Sequence, residues 1–202
     1  MLDGMLKRRL DPMLLRLAAG LQRTGMSANA VTAAGLGLGL AAALAIALGH
    51  FGTGLGLILV SRLCDGLDGT LARLRQQPTD LGGYLDIVFD YIFYGAIPLA
   101  FALVDPAGNG LPAAVLLMSF YANGASFLAF ALMAEKRKLV TTARGPKALY
   151  FTTGLAEAGE TLAVFVLACL VPAWFGILAY GFAALCFLTC FSRIALALRV
   201  FR

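Results

Sequence analysis

The chain has 202 residues, of which 60% are hydrophobic and only 13% are charged. This composition excludes an ordinary soluble globular protein, because it leaves too few charged side chains to cover a water-exposed surface. The net charge of +5 is explained by attraction to anionic lipid and by retention of basic residues in the cytoplasm, so no nucleic-acid partner is implied. The sequence therefore indicates an integral membrane protein.

Residues 1–25 predict an amphipathic helix that lies on the cytoplasmic membrane surface. Leucine and methionine recur at helical spacing from Leu6 to Leu21, with basic residues between them. Such a helix rests in the interface with its apolar face in lipid, and a connector packed on the bundle is the alternative interpretation. The basic residues are spread along the segment instead of preceding an apolar run, which argues against a cleavable signal.

Residues 26–202 predict an all-α domain of six transmembrane helices. Each apolar segment is long enough, or nearly so, for the roughly 20 helical residues that cross ~30 Å of hydrocarbon. The shortest is the fifth, and Trp174 marks its interfacial end. The six segments are 31–49, 54–73, 83–104, 111–134, 159–174 and 176–198.

The basic residues fix the expected orientation, because Lys and Arg are retained on the cytoplasmic side. They occur before the first segment, in the second and fourth loops and after the sixth segment, and none lies in the three opposite loops. We therefore expect both termini in the cytoplasm, in a multi-pass protein of the bacterial inner membrane. Fourteen of the 16 basic residues lie at or beside these positions: Lys7, Arg8, Arg9, Arg16, Arg23, Arg73, Arg75, Lys136, Arg137, Lys138, Arg144, Lys147, Arg199 and Arg202. The other two, Arg62 and Arg193, lie inside the second and sixth segments, and Arg193 would either snorkel to the interface or reach the site.

Four carboxylates near the second loop are the strongest functional signal. Asp65 and Asp68 are three residues apart and Asp86 and Asp90 are four apart, so each pair lies on one face of its own helix. The two helices are antiparallel and joined by a short polar turn, which brings the pairs together. Charges at membrane depth are costly and indicate function. Clustered carboxylates favour Mg²⁺ or Mn²⁺, which prefer oxygen ligands.

Small residues and an arginine surround these acids. Gly69 and Gly82 remove side chains beside them, so a ligand can approach the backbone closely. Arg73 offers a planar donor fork suited to phosphate. Together these features indicate a diphosphate site, and the alternative is a set of buried ion pairs between helices, such as Arg62 with Asp65.

The pattern resembles the signature of the CDP-alcohol phosphatidyltransferases, with every defining position filled. In this chain it reads Asp65-x2-Asp68-Gly69-x2-Ala72-Arg73-x8-Gly82-x3-Asp86-x3-Asp90. Asn29 and Thr32 are similar to the family's Pro-Asn-x2-Thr, with Ala28 in place of the proline. The resemblance implies transfer of a phosphatidyl group from CDP-diacylglycerol to a hydroxyl acceptor with release of CMP, and it suggests a homodimer.

The resemblance also implies a role for each signature residue. Asp65, Asp68 and Asp86 would ligate one or two Mg²⁺ or Mn²⁺ ions, and Asp90, the fourth carboxylate of the metal set, would be the general base. The only histidine, His50, is expected on the far side of the membrane, so direct transfer is favoured over a phosphohistidine intermediate. The CDP-lipid would be bound by Asn29, Thr32, Asp68, Gly69, Ala72, Arg73, Thr79 and Gly82.

The acceptor is left open by the sequence. Arg144, Lys147, Glu157 and Glu160 are candidates for its binding, although sidedness explains the two basic residues and helix-end electrostatics the two acidic ones. Glycerol 3-phosphate, inositol phosphate, serine, choline and a lipid headgroup all remain candidates. Two other functions compete with the enzyme: a cation transporter that uses intramembrane acids, and a catalytically silent scaffold.

Overall fold

The computed structural model describes residues 2–76, 78–138 and 156–201, with side chains from residue 11 onward. These parts of the chain are helical and contain no strand, which confirms the all-α prediction for them. A short 3₁₀ helix, Pro172–Trp174, precedes the last α-helix. The α-helices are α1 (Leu2–Arg23), α2 (Ala28–Ala47), α3 (Phe51–Leu74), α4 (Asp80–Val104), α5 (Pro106–Lys136), α6 (Ala158–Leu170) and α7 (Phe175–Val200).

Side-chain caps fix where the helices begin. The Ser27 hydroxyl accepts from the Ala30 N–H at 3.2 Å at the start of α2, and the Thr79 hydroxyl accepts from the Gly82 N–H at 3.0 Å at the start of α4. Each bond satisfies a backbone donor that the first turn of a helix leaves free. The Thr79 cap also fixes the register of α4, which carries two of the four acids.

Four helices among the described residues are long and apolar enough to cross a membrane: α2, α4, α5 and the combined segment Pro172–Val200. This supports a multi-pass membrane protein. Two of the six predicted crossings do not meet that criterion. Helix α3 has 24 residues but carries charged residues of the signature, and α6 has only 13 residues.

The helices pack so that α3 and α4 form the centre of the site. Helix α2 packs on both α3 and α4, α5 packs on α4 and α7, and α6 contacts α3 and α7. Aromatic rings fill the core between them, with Phe101 stacked on Phe175 at 4.4 Å and Phe93 against Phe165 at 6.0 Å. Helices α3 and α4 contact each other little, although their short turn predicted that they pack side by side; both pack mainly on α2, which holds the two acid-bearing helices around the site.

Helix α1 packs on the outside of α3. Leu14 and Ala18 are buried against Leu67 and Leu71, while the side chain of Leu15 on the neighbouring face is 48% exposed. A helix is therefore present in the segment 1–25 and contacts the bundle, while its amphipathic character stays a prediction. Its location on the membrane surface remains a prediction.

Candidate active site

Three of the four predicted carboxylates converge. One oxygen from each of Asp65, Asp68 and Asp86 lies within 4.8 Å of the other two. Asp68 is only 6% exposed, and its Oδ1 accepts from the Gly69 N–H at 2.5 Å. Its buried Oδ2 has no hydrogen-bond partner among the described residues. A buried carboxylate oxygen without a donor is unfavourable unless a cation meets it, so this donor set fits a hard divalent ion.

Asp90 lies beside that group and forms an ion pair. Its Oδ1 accepts from Nη1 of Arg62 at 2.5 Å, and the same nitrogen is 3.5 Å from Oδ1 of Asp65. The buried ion pairs that the sequence offered as the alternative to a metal site are therefore partly present: Arg62 pairs with Asp65 on its own helix and with Asp90 on α4. A single guanidinium does not compensate four carboxylates, so the pairing leaves room for a further cation.

A cavity of about 320 Å³ lies next to Asp68 and Asp86. It is bounded by the start of α2, the last turns of α3 and the start of α4. The eight residues expected to bind the CDP-lipid all line it, so the structure brings this predicted set together. They are Asn29, Thr32, Asp68, Gly69, Ala72, Arg73, Thr79 and Gly82.

The two signature glycines keep this cavity open. A Cβ on Gly82 would lie 3.2 Å from both Asn29 Oδ1 and Thr79 Oγ1, and a Cβ on Gly69 would lie 3.5 Å from Nη1 of Arg73. Nη2 of Arg73 donates to Thr70 Oγ1 at 3.0 Å, which orients the guanidinium. Because the two glycines have no side chains, the polar atoms of Asn29, Thr79 and Arg73 border open space in the cavity.

A second cavity, of about 300 Å³, is lined by Asp90. Helices α4 to α7 bound it, and most of its surface is apolar. Its polar lining includes Asp90, Asn123, Glu157 and Arg193. Since Asp86 and Asp90 are one turn apart on α4, the two cavities approach each other along this helix.

Arg193 forms part of the second cavity. Its side chain is 6% exposed, and Nη1 donates to Ser126 Oγ at 2.6 Å and to both the backbone oxygen and Oδ1 of Asn123 at 3.0 Å. The arginine therefore points into the bundle and does not snorkel to the interface. Sequence reasoning missed Asn123 and Ser126, although two polar residues within an apolar predicted crossing were a signal that could have found them.

The structure describes only two of the four residues predicted to bind the acceptor, Glu157 and Glu160. Glu157 is the N-cap of α6 and forms a capping box with Glu160, in which the Glu157 N–H donates to Glu160 Oε2 at 3.3 Å. Helix capping is thus observed, and Glu157 also lines the second cavity. Arg144 and Lys147 lie outside the described residues.

His50 is remote from the acids. It is the N-cap of α3, and 15 residues of helix separate it from Asp65, or about 22 Å at 1.5 Å per residue. No side chain can cover that distance, so His50 takes no part in chemistry at Asp90.

The fold is shared with solved membrane enzymes. Phosphatidylinositol phosphate synthase of Mycobacterium tuberculosis in complex with manganese and citrate superposes with a TM-score of 0.71 at 22% identity, covering 90% of this chain and 87% of that one. The same synthase with CDP-DAG bound gives a TM-score of 0.70 at 20% identity, with 91% and 92% covered. At these identities the likeness establishes the fold.

Sequence comparisons extend the likeness to the family. The Escherichia coli inner membrane protein YnjF is 42% identical over 194 residues, which cover 96% of this chain and 94% of that protein. Archaetidylinositol phosphate synthase of Methanothermobacter thermautotrophicus is 32% identical over 92 residues, covering 46% and 44%. The CDP-alcohol phosphatidyltransferase model matches residues 26–190, a range that contains all four acids, the whole lining of the first cavity and the lining of the second cavity except Arg193. This chain is therefore a member of the CDP-alcohol phosphatidyltransferase family.

Proposed function

We propose that the protein transfers a phosphatidyl group from CDP-diacylglycerol to an alcohol and releases CMP by direct displacement. The observation that carries the proposal is the placement of the acids between two cavities. Asp68 and Asp86 line the cavity that holds the eight expected CDP-lipid residues, and Asp90 lines the other. A donor in the first cavity and an acceptor in the second would meet beside the carboxylates.

The three converging carboxylates would hold one or two Mg²⁺ or Mn²⁺ ions. Their oxygen donors and the orphaned Oδ2 of Asp68 fit such an ion, and the M. tuberculosis neighbour was solved with manganese. When bound, the ion would neutralise charge on the diphosphate and on the departing CMP.

Residues that line the first cavity would bind the rest of the CDP-lipid. The Arg73 guanidinium, held by Thr70, would bind phosphate oxygens through its planar fork. Gly69 and Gly82 would let the diphosphate approach the backbone, because a Cβ at either position would fill the space. Asn29 and Thr32, at the start of α2, would bind the nucleotide.

Asp90 would act as the general base. An alcohol is a weak nucleophile until a positioned group takes its proton. As the acceptor oxygen bonds to the phosphorus of the phosphatidyl group, its proton passes to Asp90, and the bond from phosphorus to the CMP oxygen breaks with its electron pair leaving on CMP. Because His50 is too distant to form a phosphoenzyme, one displacement suffices.

The membrane arrangement that suits this reaction has six crossings. Helices α3 and α6 would complete the four that length and apolarity assign, since Arg62 and Asp68 of α3 face the interior of the bundle and are only 13% and 6% exposed. With both termini in the cytoplasm, the α3–α4 turn faces the cytosol, and acyl chains stay in lipid while a soluble alcohol enters. A homodimer in a bacterial inner membrane is the expected assembly.

The test is CMP release by the purified protein. CDP-diacylglycerol and Mn²⁺ are supplied with a panel of alcohols that begins with inositol phosphate, because relatives with this fold are named as inositol phosphate lipid synthases. Acceptor-dependent CMP release supports the proposal and identifies the acceptor. Folded protein that releases no CMP with any alcohol, yet carries Mn²⁺ across proteoliposome membranes, would favour the transporter.

A further inference from the structure

Arg62 contacts two of the clustered aspartates, Asp65 and Asp90, but the proposed reaction gives it no role. It lies on α3 one turn before Asp65, with a side chain only 13% exposed. Its Nη1 contacts Oδ1 of Asp90 at 2.5 Å and Oδ1 of Asp65 at 3.5 Å. One nitrogen of a permanently charged group therefore joins a candidate metal ligand on α3 to the candidate base on α4.

The guanidinium of Arg62 is held directly by groups of α3 and α4 and indirectly by α2. Nη2 donates to the Ser61 hydroxyl at 3.3 Å, and this hydroxyl donates to the Gly35 carbonyl of α2 at 2.7 Å. The guanidinium also lies 4.0 Å from the ring centroid of Phe93 on α4, and that ring is fully buried. These contacts fix the plane of the group, so Arg62 limits where Oδ1 of Asp90 can be.

The ion pair uses only one oxygen of Asp90. Oδ1 meets Arg62, while Oδ2 stays outside this pair on a residue that lines the second cavity. We propose that Arg62 is a positioning residue, which holds Asp90 so that Oδ2 receives the proton of the acceptor, and which supplies positive charge beside Asp65 when no metal is bound. The role of Arg62 in positioning Asp90 rests on the proposed function, whereas its role as a positive charge beside Asp65 rests on the observed contacts alone.

Two effects of opposite sign follow when Arg62 is removed. Turnover falls, because Asp90 is no longer fixed relative to the acceptor. Affinity for Mn²⁺ rises, because a cation that repels the ion and engages an oxygen of Asp65 is gone. A residue that only supported the fold would weaken both properties when replaced.

Arg62→Gln and Arg62→Lys in the full chain provide the test. For Arg62→Gln we expect kcat to fall about ten- to a hundredfold with little change in KM for CDP-diacylglycerol. Its Kd for Mn²⁺, measured by electron paramagnetic resonance, should fall several-fold. Its thermal midpoint should drop in EDTA and recover in part with saturating Mn²⁺. Arg62→Lys keeps the charge but not the planar fork, so kcat should fall while the Kd for Mn²⁺ stays near wild type.

Arg137→Gln is the matched control. Arg137 donates to the carbonyls of Val200 and Phe201 at the end of α7, so its loss should lower the thermal midpoint equally in EDTA and in Mn²⁺ and leave the Kd for Mn²⁺ unchanged. Wild-type kcat in Arg62→Lys, or weaker Mn²⁺ binding by Arg62→Gln, would overturn the inference. If wild-type protein releases no CMP, the proposed function fails, and the Mn²⁺ and EDTA measurements still decide the charge role.

Discussion

Gly82→Ala separates substrate binding from fold stability. The added Cβ would lie 3.2 Å from Asn29 Oδ1 and from Thr79 Oγ1, closer than the about 3.5–4.0 Å of favourable contact. The Thr79 hydroxyl cannot retreat freely, because it caps α4 through the Gly82 N–H. The methyl group therefore displaces Asn29 and occupies space in the CDP-lipid cavity.

The magnitude follows from two opposing terms. Overpacking a well-filled site costs about 1–3 kcal/mol, and we expect about 1–2 kcal/mol of it to appear as lost CDP-lipid binding, since the crowded groups border the cavity. That corresponds to an about five- to thirtyfold rise in KM for CDP-diacylglycerol. Alanine in place of glycine within a helix instead stabilises by up to about 1 kcal/mol. The helix gain offsets part of the overpacking cost, so the free energy of unfolding should fall by no more than about 2 kcal/mol while substrate affinity falls.

The assay is CMP release at varied CDP-diacylglycerol, together with thermal unfolding. Gly95→Ala is the matched control, because it lies on the same helix and its Cβ would meet no described atom within 4 Å. It should leave KM unchanged. Unaltered KM in Gly82→Ala, or an equal loss of affinity in both variants, would refute the assignment of this cavity to the CDP-lipid.

Two further predictions concern the other cavity. Asp90→Asn should reduce kcat at least about a hundredfold while CDP-diacylglycerol binding, measured by isothermal titration, stays within about threefold of wild type; near-normal turnover would assign the base elsewhere. Gly124 and Tyr91 both line the second cavity, and Gly124→Ala would force the Tyr91 phenol off its present position, so KM for the acceptor should rise about tenfold and KM for CDP-diacylglycerol should not. Gly110→Ala, on the same helix with no described atom within 4 Å of its Cβ, is the control, and equal effects in both variants would contradict the acceptor assignment.

The CDP-lipid half of the site could be predicted because its determinants are local. Asp65 with Asp68, and Asp86 with Asp90, are about one turn apart, so helical spacing places each pair on one face of its own helix. The short turn between the helices keeps both pairs at the same end of the bundle. The caps at Ser27 and Thr79 are also typical sequence signals for helix starts. The lining of the first cavity was expected from the family resemblance, because Asn29 and Thr32 come from α2 and lie far in sequence from the other lining residues.

The acceptor half depends on packing between segments far apart in the chain. Arg193 meets Asn123 and Ser126 across about 70 residues, and hydropathy does not specify which faces of α5 and α7 meet. The choice of Asp90 as a partner of Arg62 likewise depends on the rotation of α4 against α3. Sequence reasoning therefore recognised Arg62 and Arg193 as unusual but could not place their side chains.

Mn²⁺ titration of the wild-type protein and of Asp68→Asn, with and without CDP, tests the central claim most directly. Binding to the converging carboxylates predicts measurable affinity in the wild type that increases when CDP is present. The variant should bind about tenfold or more weakly, because the ion loses a charged oxygen ligand. Absence of Mn²⁺ binding to folded wild-type protein even with CDP, or equal affinity in Asp68→Asn, would contradict it.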